Sequence, residues 1–225
     1  MPIARSSLAG AATGVVLLAG AVGFGVGLPE VVENPGATAA ELPTLPDRLD
    51  DRFIALSSVT AEDVKATTPE DIAQAKAIVD GSAESEKKAT ARLDGMYGEV
   101  AVRTYLDIPA TIDPAAQVRP PQLAITIAPG EGGPLIPHGP FEFDQSGTHY
   151  ELTEVDGYQC SSIWAEAVDP TTGLPTGAER TGSSYQEVEC RTVRAGLTYD
   201  IYSSGVTPEE AAHYLGLVLE QTAKD

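Results

Sequence analysis

The chain has little of what most catalytic and metal centres are built from. Its 225 residues include two cysteines, three histidines and one tryptophan. Two cysteines exclude a disulfide-dense miniprotein and a cysteine-rich zinc module. Three scattered histidines (His138, His149 and His213) include no pair at metal-ligand spacing. Basic residues are also scarce: 14 Lys and Arg stand against 33 Asp and Glu, a formal net charge of −19. Nucleic acids and anionic headgroups are bound by clustered cations that neutralise phosphate, so those partners drop out.

The motifs that announce chemistry are missing too. There is no G-x-S-x-G elbow, no H-E-x-x-H, no EF-hand loop, and neither of the glycine-rich phosphate cradles. Ser85-Glu-Lys-Lys88 matches S-x-x-K, but it sits in a charged helical segment and lacks the companion S-D-N and K-T-G elements. Gly130-Glu-Gly-Gly133 places an acid where a phosphate would have to approach. Asp47, Asp50 and Asp51 read as solvated linker acids rather than calcium ligands. No cofactor, no metal site and no catalytic residue is implied.

What is present begins at the N-terminus. After Arg5, the 23 residues from Ser6 to Leu28 carry no charge and stop at Pro29-Glu30. As a helix they reach about 34 Å, enough for a hydrocarbon core of about 30 Å. Gly10/Gly14 and Ala19/Gly23/Gly27 give small-residue rows, read as a glycine-rich anchor without a partner helix. The rival reading is a cleaved signal, with Ala37-Thr38-Ala39 as its site, but that site lies far beyond the apolar run. The flanking charge puts residues 1–5 in the cytoplasm, 6–28 in the membrane as a signal-anchor, and the rest outside. The Pro-rich stretch 29–59 is expected to be a stalk and 60–225 an exported domain.

Within that domain, Thr60-Ala-Glu-Asp63 and Thr68-Pro-Glu-Asp71 both carry a helix-start signature. The second predicts one kinked helix, or two consecutive ones, from Pro69 to Leu93 with the break at Gly81-Ser82. The period then switches to two. Val100–Leu106 and Leu123–Ile127 read as strands, and Thr148–Val155 and Tyr158–Ala165 as a hairpin turning at Asp156-Gly157. Glu187–Val193 and Leu197–Tyr202 form a second hairpin, and Thr207-Pro-Glu-Glu210 opens a last amphipathic helix. The expected fold is α+β: an antiparallel sheet of five to six strands, helices packed on one face, and one disulfide. That disulfide is Cys160–Cys190, the only even pair in an oxidising compartment.

Trp164 is the lone tryptophan, and Tyr150, Tyr158, Tyr185, Tyr199 and Tyr202 fall in the same strand region. On an exposed face such rings form a glycan or peptide platform; on a buried one they are core. The candidate binding surface is His138, Trp164, Tyr158 and Tyr185, flanked by the loops Ala128–Pro140 and Asp169–Ser184. The Ala/Gly-rich, Asn- and Lys-poor composition resembles that of a high-GC bacterium. The expectation is a membrane-anchored envelope protein whose exported domain binds a protein, peptide or glycan without catalysis. The alternative is an envelope hydrolase, which requires two of His138, His149, Asp144, Glu151 and Glu166 to converge in one pocket.

Overall fold

Strands form where apolar residues recur at every second position. In the computed structural model, which describes residues 42–113, 119–132, 135 and 147–223, they make one antiparallel sheet of seven strands. These are β1 (Phe53–Ala55), β2 (Ala101–Asp107), β3 (Gln122–Pro129), β4 (Thr148–Val155), β5 (Tyr158–Ala165), β6 (Tyr185–Arg194) and β7 (Leu197–Ser204). Their order across the sheet is β1-β2-β3-β7-β6-β5-β4. Asp156 and Gly157 hold φ at 52° and 82°, the left-handed pair that a two-residue hairpin turn demands. The strands they join therefore pair end to end, from Val155↔Tyr158 to Thr148↔Ala165. Ala195 and Gly196 do the same for β6 and β7, and β7 then inserts beside β3.

The two faces of the sheet differ sharply. On one, Tyr105, Leu123, Ile125, Ile127, Val188 and Ile201 are buried in a single core shared with helix α3 (Pro208–Thr222). That helix contributes Ala211, Ala212, Tyr214, Leu215 and Val218 to the same core. Its start is fixed by a reciprocal cap: Thr207 Oγ1 accepts from the Glu210 N–H, and Glu210 Oε2 accepts from the Thr207 N–H. On the opposite face, the residues alternating with the core set are Thr126, Thr198, Asp200, Glu189 and Arg191. At its β2 margin lies helix α1 (Pro69–Tyr97), 29 residues long, none of them buried.

Several expectations are corrected here. The sheet has seven strands, not five or six, because Phe53–Ala55 adds an edge strand. The same segment corrects the stalk boundary at residue 59, since Leu45, Leu49, Phe53, Ile54 and Ala55 are all buried. The folded part therefore starts before Thr60, and tertiary burial there outweighs a Pro-rich, non-periodic local sequence. The helices are not on one face: α3 and α1 lie on opposite faces. Gly81 does not break α1, because an isolated glycine costs only about 1 kcal/mol against alanine and the helix runs on around it. The Thr60 signature caps a single turn rather than a helix, with Asp63 N–H donating to Thr60 Oγ1. A five-residue helix, α2 (Ile108–Ile112), follows β2.

The anchor placed at 6–28 lies outside the described residues, as do the signal-cleavage site and the outer part of the stalk. Among the described residues no helix is long and apolar enough to cross a membrane.

Cys160 and Cys190 are direct cross-strand partners on β5 and β6 and form the expected disulfide. Both are fully buried on the core face. A reductant can reach the bond only when the sheet opens. In reducing buffer without denaturant the native chain should therefore yield no alkylatable thiol, and unfolded chain should yield two. A double C160A/C190A chain should lose about 2–5 kcal/mol in a denaturant titration. Rapid reduction of the native chain would contradict this.

Candidate functional site

The sequence-predicted residues gather at one corner of the sheet, where β4 begins and β5 ends. His149 and Trp164 are register partners. Their rings stack with centroids 3.9 Å apart and planes 12° from parallel. The β5–β6 register shifts between Ile163 and Trp164, so Trp164 faces Tyr185. An irregularity of this kind re-aims a side chain, and here it turns the indole toward the sheet corner. Two residues beyond Trp164, Glu166 Oε1 lies 2.8 Å from His149 Nε2. The backbone reinforces the closure, with Glu166 N–H donating to Gly147 O at 2.9 Å.

A cation completes the cluster. The Arg180 guanidinium sits 4.5 Å from the Trp164 ring centroid. It also donates to both carboxylate oxygens of Glu151 at 3.2–3.3 Å. Arg180 reaches the ring from the loop 166–181, which is far from slack. Asp169 Oδ1 accepts from the N–H groups of Thr171 and Thr172, and Gly173 N–H closes on Asp169 O. The backbone bonds from Thr172 and Thr171 hold the Asp169 carboxyl below the usual carboxylate range. Val168 and Pro175 bridge across the base of this turn. At the same base Leu174 and Val168 are 65% and 53% exposed, two apolar side chains close together on the surface. A shallow cleft of about 370 Å³ runs between Trp164, Glu166, Gly177, Arg180 and Ser184.

The four residues expected to form a binding surface are not all brought together. Trp164 is half-buried and packs on the core margin, while Tyr185 beside it is buried. Burial, the largest cause, raises the Tyr185 phenol above its ordinary pKa. Tyr158 is at the other end of β5, roughly 20 Å away at 3.3 Å per residue, packed toward Gly216 of α3. His138 lies outside the described residues, as does Asp144. The aromatics thus follow the core reading for Tyr158 and Tyr185, and Trp164 alone reaches a surface cluster. Of the five groups from which the hydrolase alternative requires at least two, His149 and Glu166 converge, and Glu151 is engaged by Arg180. Arg180 was missed, since nothing local in a long polar loop signals a cation that lands on an indole.

A second charged cluster lies on the opposite face. Arg191 on β6 donates from Nε to Asp200 Oδ2 at 2.7 Å and from Nη2 to Glu189 Oε1 at 2.8 Å. Burial, and then the neighbouring Asp200 carboxylate, push the Glu189 carboxyl up to about 7, against the pull of Arg191. Among the described residues no group of His, Cys, Asp and Glu is arranged to hold a metal ion.

Two outcomes follow from these clusters. A raised folded-state carboxyl pKa means that folding favours the protonated form. The Glu189 contribution is thus fully present below its ordinary value of 4.5 and is lost as pH rises through about 7. Because the side chain keeps contact with solvent, the loss should be on the order of 1–2 kcal/mol, less than the full linkage value. Glu189→Gln should flatten that decline between pH 5 and 8.5 in denaturant midpoints. A variant with the wild-type decline would refute the assignment. The lone tryptophan reports the other cluster. Arg180→Ala should red-shift its emission and raise acrylamide quenching, while changing stability by no more than about 1 kcal/mol. An unchanged spectrum would contradict the observed packing.

Comparison with known proteins adds no relative to this geometry: no family model matches the chain, and no curated protein or solved structure matches it.

Proposed function

We propose that this chain is a membrane-anchored, exported domain of a bacterial cell envelope that binds another protein without catalysing a reaction. The contact surface is the Trp164 corner with the adjoining loop of Val168 and Leu174. The carrying observation is that loop: two large apolar side chains are exposed side by side at the base of a turn pinned by Asp169. Exposed apolar groups on a preorganised support bind with little ordering cost. They also match the anchor-in-pocket pattern of protein interfaces. A protein partner fits better than a glycan, because the indole that a sugar would stack on already carries His149 and Arg180. The acid excess favours a neutral or basic partner, attracted from a distance in a salt-dependent way. The anchor rests on the uncharged run Ser6–Leu28, and the outward orientation on the flank of Arg5.

A second reading, an envelope hydrolase, draws on the 2.8 Å contact of His149 with Glu166. It requires that pair to act on a substrate held in the cleft beside Trp164.

A photo-crosslinking residue placed at Leu174 of the full-length chain in cells should give one discrete protein adduct. The same residue at exposed Glu220 on α3 should give none. Leu174→Asp or Trp164→Ala should weaken binding of the isolated adduct partner at least tenfold, as expected for an interface anchor worth more than 1.4 kcal/mol. Equal adducts from both positions would reject this surface. A His149→Ala chain that loses a hydrolytic activity measured in wild type, with partner binding intact, would favour the second reading.

A further inference from the structure

The β2 margin of the sheet carries a stretch of backbone edge that no other described strand pairs with. β1 pairs only with Tyr105, Leu106 and Asp107 of β2, then turns away through a 3-10 turn at Leu56–Ser58. Ala101–Thr104 run on beyond it, paired with β3 on their inner side alone. Backbone groups alternate in direction along an antiparallel strand. Those of Leu106 point outward to Ile54 of β1, so those of Thr104 and Val102 point outward as well. The Thr104 N–H is taken by a side chain instead of a strand: it donates to Glu86 Oε1 of α1 at 3.1 Å. The Glu86 carboxylate therefore stands where the carbonyl of a neighbouring strand would be. No hydrogen bond among the described residues reaches the outward groups of Val102.

Space accompanies the open edge. A cleft of about 430 Å³ lies between α1 and the edge, lined by Leu56, Ile78, Gly81, Glu86, Ala89 and Val102. A second cleft of about 430 Å³ adjoins it and shares Leu56 and Ile78. Ala77, Gly81, Ser82, Ser85 and Ala89 leave room on the helix side of the first, and a Cβ built on Gly81 would meet nothing within 4 Å. Ala101–Thr104, which no described strand pairs on the outer side, span roughly 13 Å, the length of a short extended segment. The helix above has no buried residue, so it covers this margin of the sheet only loosely.

We infer that the edge of β2 from Ala101 to Thr104, beneath α1, receives an extended peptide segment of a partner protein, which pairs with the outward backbone groups of Val102 and Thr104 and displaces Glu86. This is strand addition: main-chain hydrogen bonds supply affinity, and alternate side chains of the peptide enter the apolar floor. The chemistry of the occupant follows from the site. The edge recognises backbone, the floor of Leu56, Ile78 and Val102 accepts apolar side chains at every second position, and the net charge of −19 selects basic residues between them. This inference does not depend on the Trp164 surface.

The probe is a phage-displayed random dodecapeptide library panned on the full-length chain in detergent, with enriched peptides then synthesised. Enrichment of sequences alternating apolar with Lys or Arg is expected. Their binding should strengthen several-fold in Glu86→Ala, weaken at least tenfold in Val102→Pro, and stay unchanged in Trp164→Ala. Proline at an edge position whose N–H faces outward leaves a sheet intact, so Val102→Pro removes the donor without removing the strand. Amide exchange on the wild-type chain gives a second readout, in which bound peptide should slow the Val102 amide. No enrichment, peptides that bind Val102→Pro as well as wild type, or a Val102 amide unaffected by bound peptide would each overturn the inference. So would a Glu86→Ala chain that dimerises through the same edge, which would assign it to a second copy. Loss of binding in Trp164→Ala would instead move the peptide to the other surface.

Discussion

Three distant stretches of the chain meet at one guanidinium. Arg52 donates from Nε to Asp107 Oδ2 at 2.6 Å and from Nη1 to Glu210 Oε1 at 2.7 Å. Asp107 ends β2 and caps α2 through the Ala110 N–H, while Glu210 belongs to the cap that starts α3. Just before Arg52, Asp50 accepts from the Arg52 and Phe53 N–H groups and, on its other oxygen, from the Tyr214 hydroxyl. Burial, and then that bond, raise the Tyr214 phenol to about 12. Phe53 then meets the Tyr214 ring edge-on at 4.7 Å. Asp107 is almost wholly buried, so without Arg52 it would be an uncompensated charge in the core. This one ion triad ties β1, the end of β2 and the first turn of α3 together at the margin of the core face.

The strongest local signals in the sequence were enough to place the hairpins. Asp156-Gly157 has a conformational requirement that few other pairs meet, so the strands around it fall at Thr148–Val155 and Tyr158–Ala165 as expected. The disulfide follows from a count of two, and the final helix from its cap at Thr207. What escaped was whatever depends on distant partners. Phe53–Ala55 is too short to show a period, and it becomes a strand only because β2 and Arg52 are there to receive it. The two faces could not be told apart, since periodicity says which residues share a face but not which helix covers it. At the candidate site, Trp164 and Tyr185 were visible as rings, but the Glu166 and Arg180 contacts join residues 17 and 16 positions from His149 and Trp164 along the chain. No spacing rule reaches across such a loop.

The candidate contact regions divide between the two faces and the two margins of one sheet. The Trp164 corner is densely linked: stacked rings, a guanidinium shared between the indole and the Glu151 carboxylate, and a pinned loop tie its side chains together. The β2 margin is the reverse, with a long helix resting above unfilled space. The first suits recognition by shape, the second recognition of a backbone. Between them the polar face carries Glu189, Arg191 and Asp200, which keeps the middle of the sheet from acting as an apolar docking plane.

The strand order also fixes a sequence of events during synthesis. β7 occupies the centre of the sheet, yet it follows every other strand in the chain. Until it is made, β1–β2–β3 and β4–β5–β6 are separate half-sheets, each with an inner edge of unpaired backbone. The core face also waits for α3, which comes after β7. The β3 edge therefore stays open while everything from residue 130 to β7 is made, the condition in which strands pair with the wrong neighbour. Contacts between β3 and β7 span about 70 residues and must form late, so closure is slow relative to the local hairpins. Any factor that escorts the growing chain has most to protect in the interval before residues 197–204 arrive.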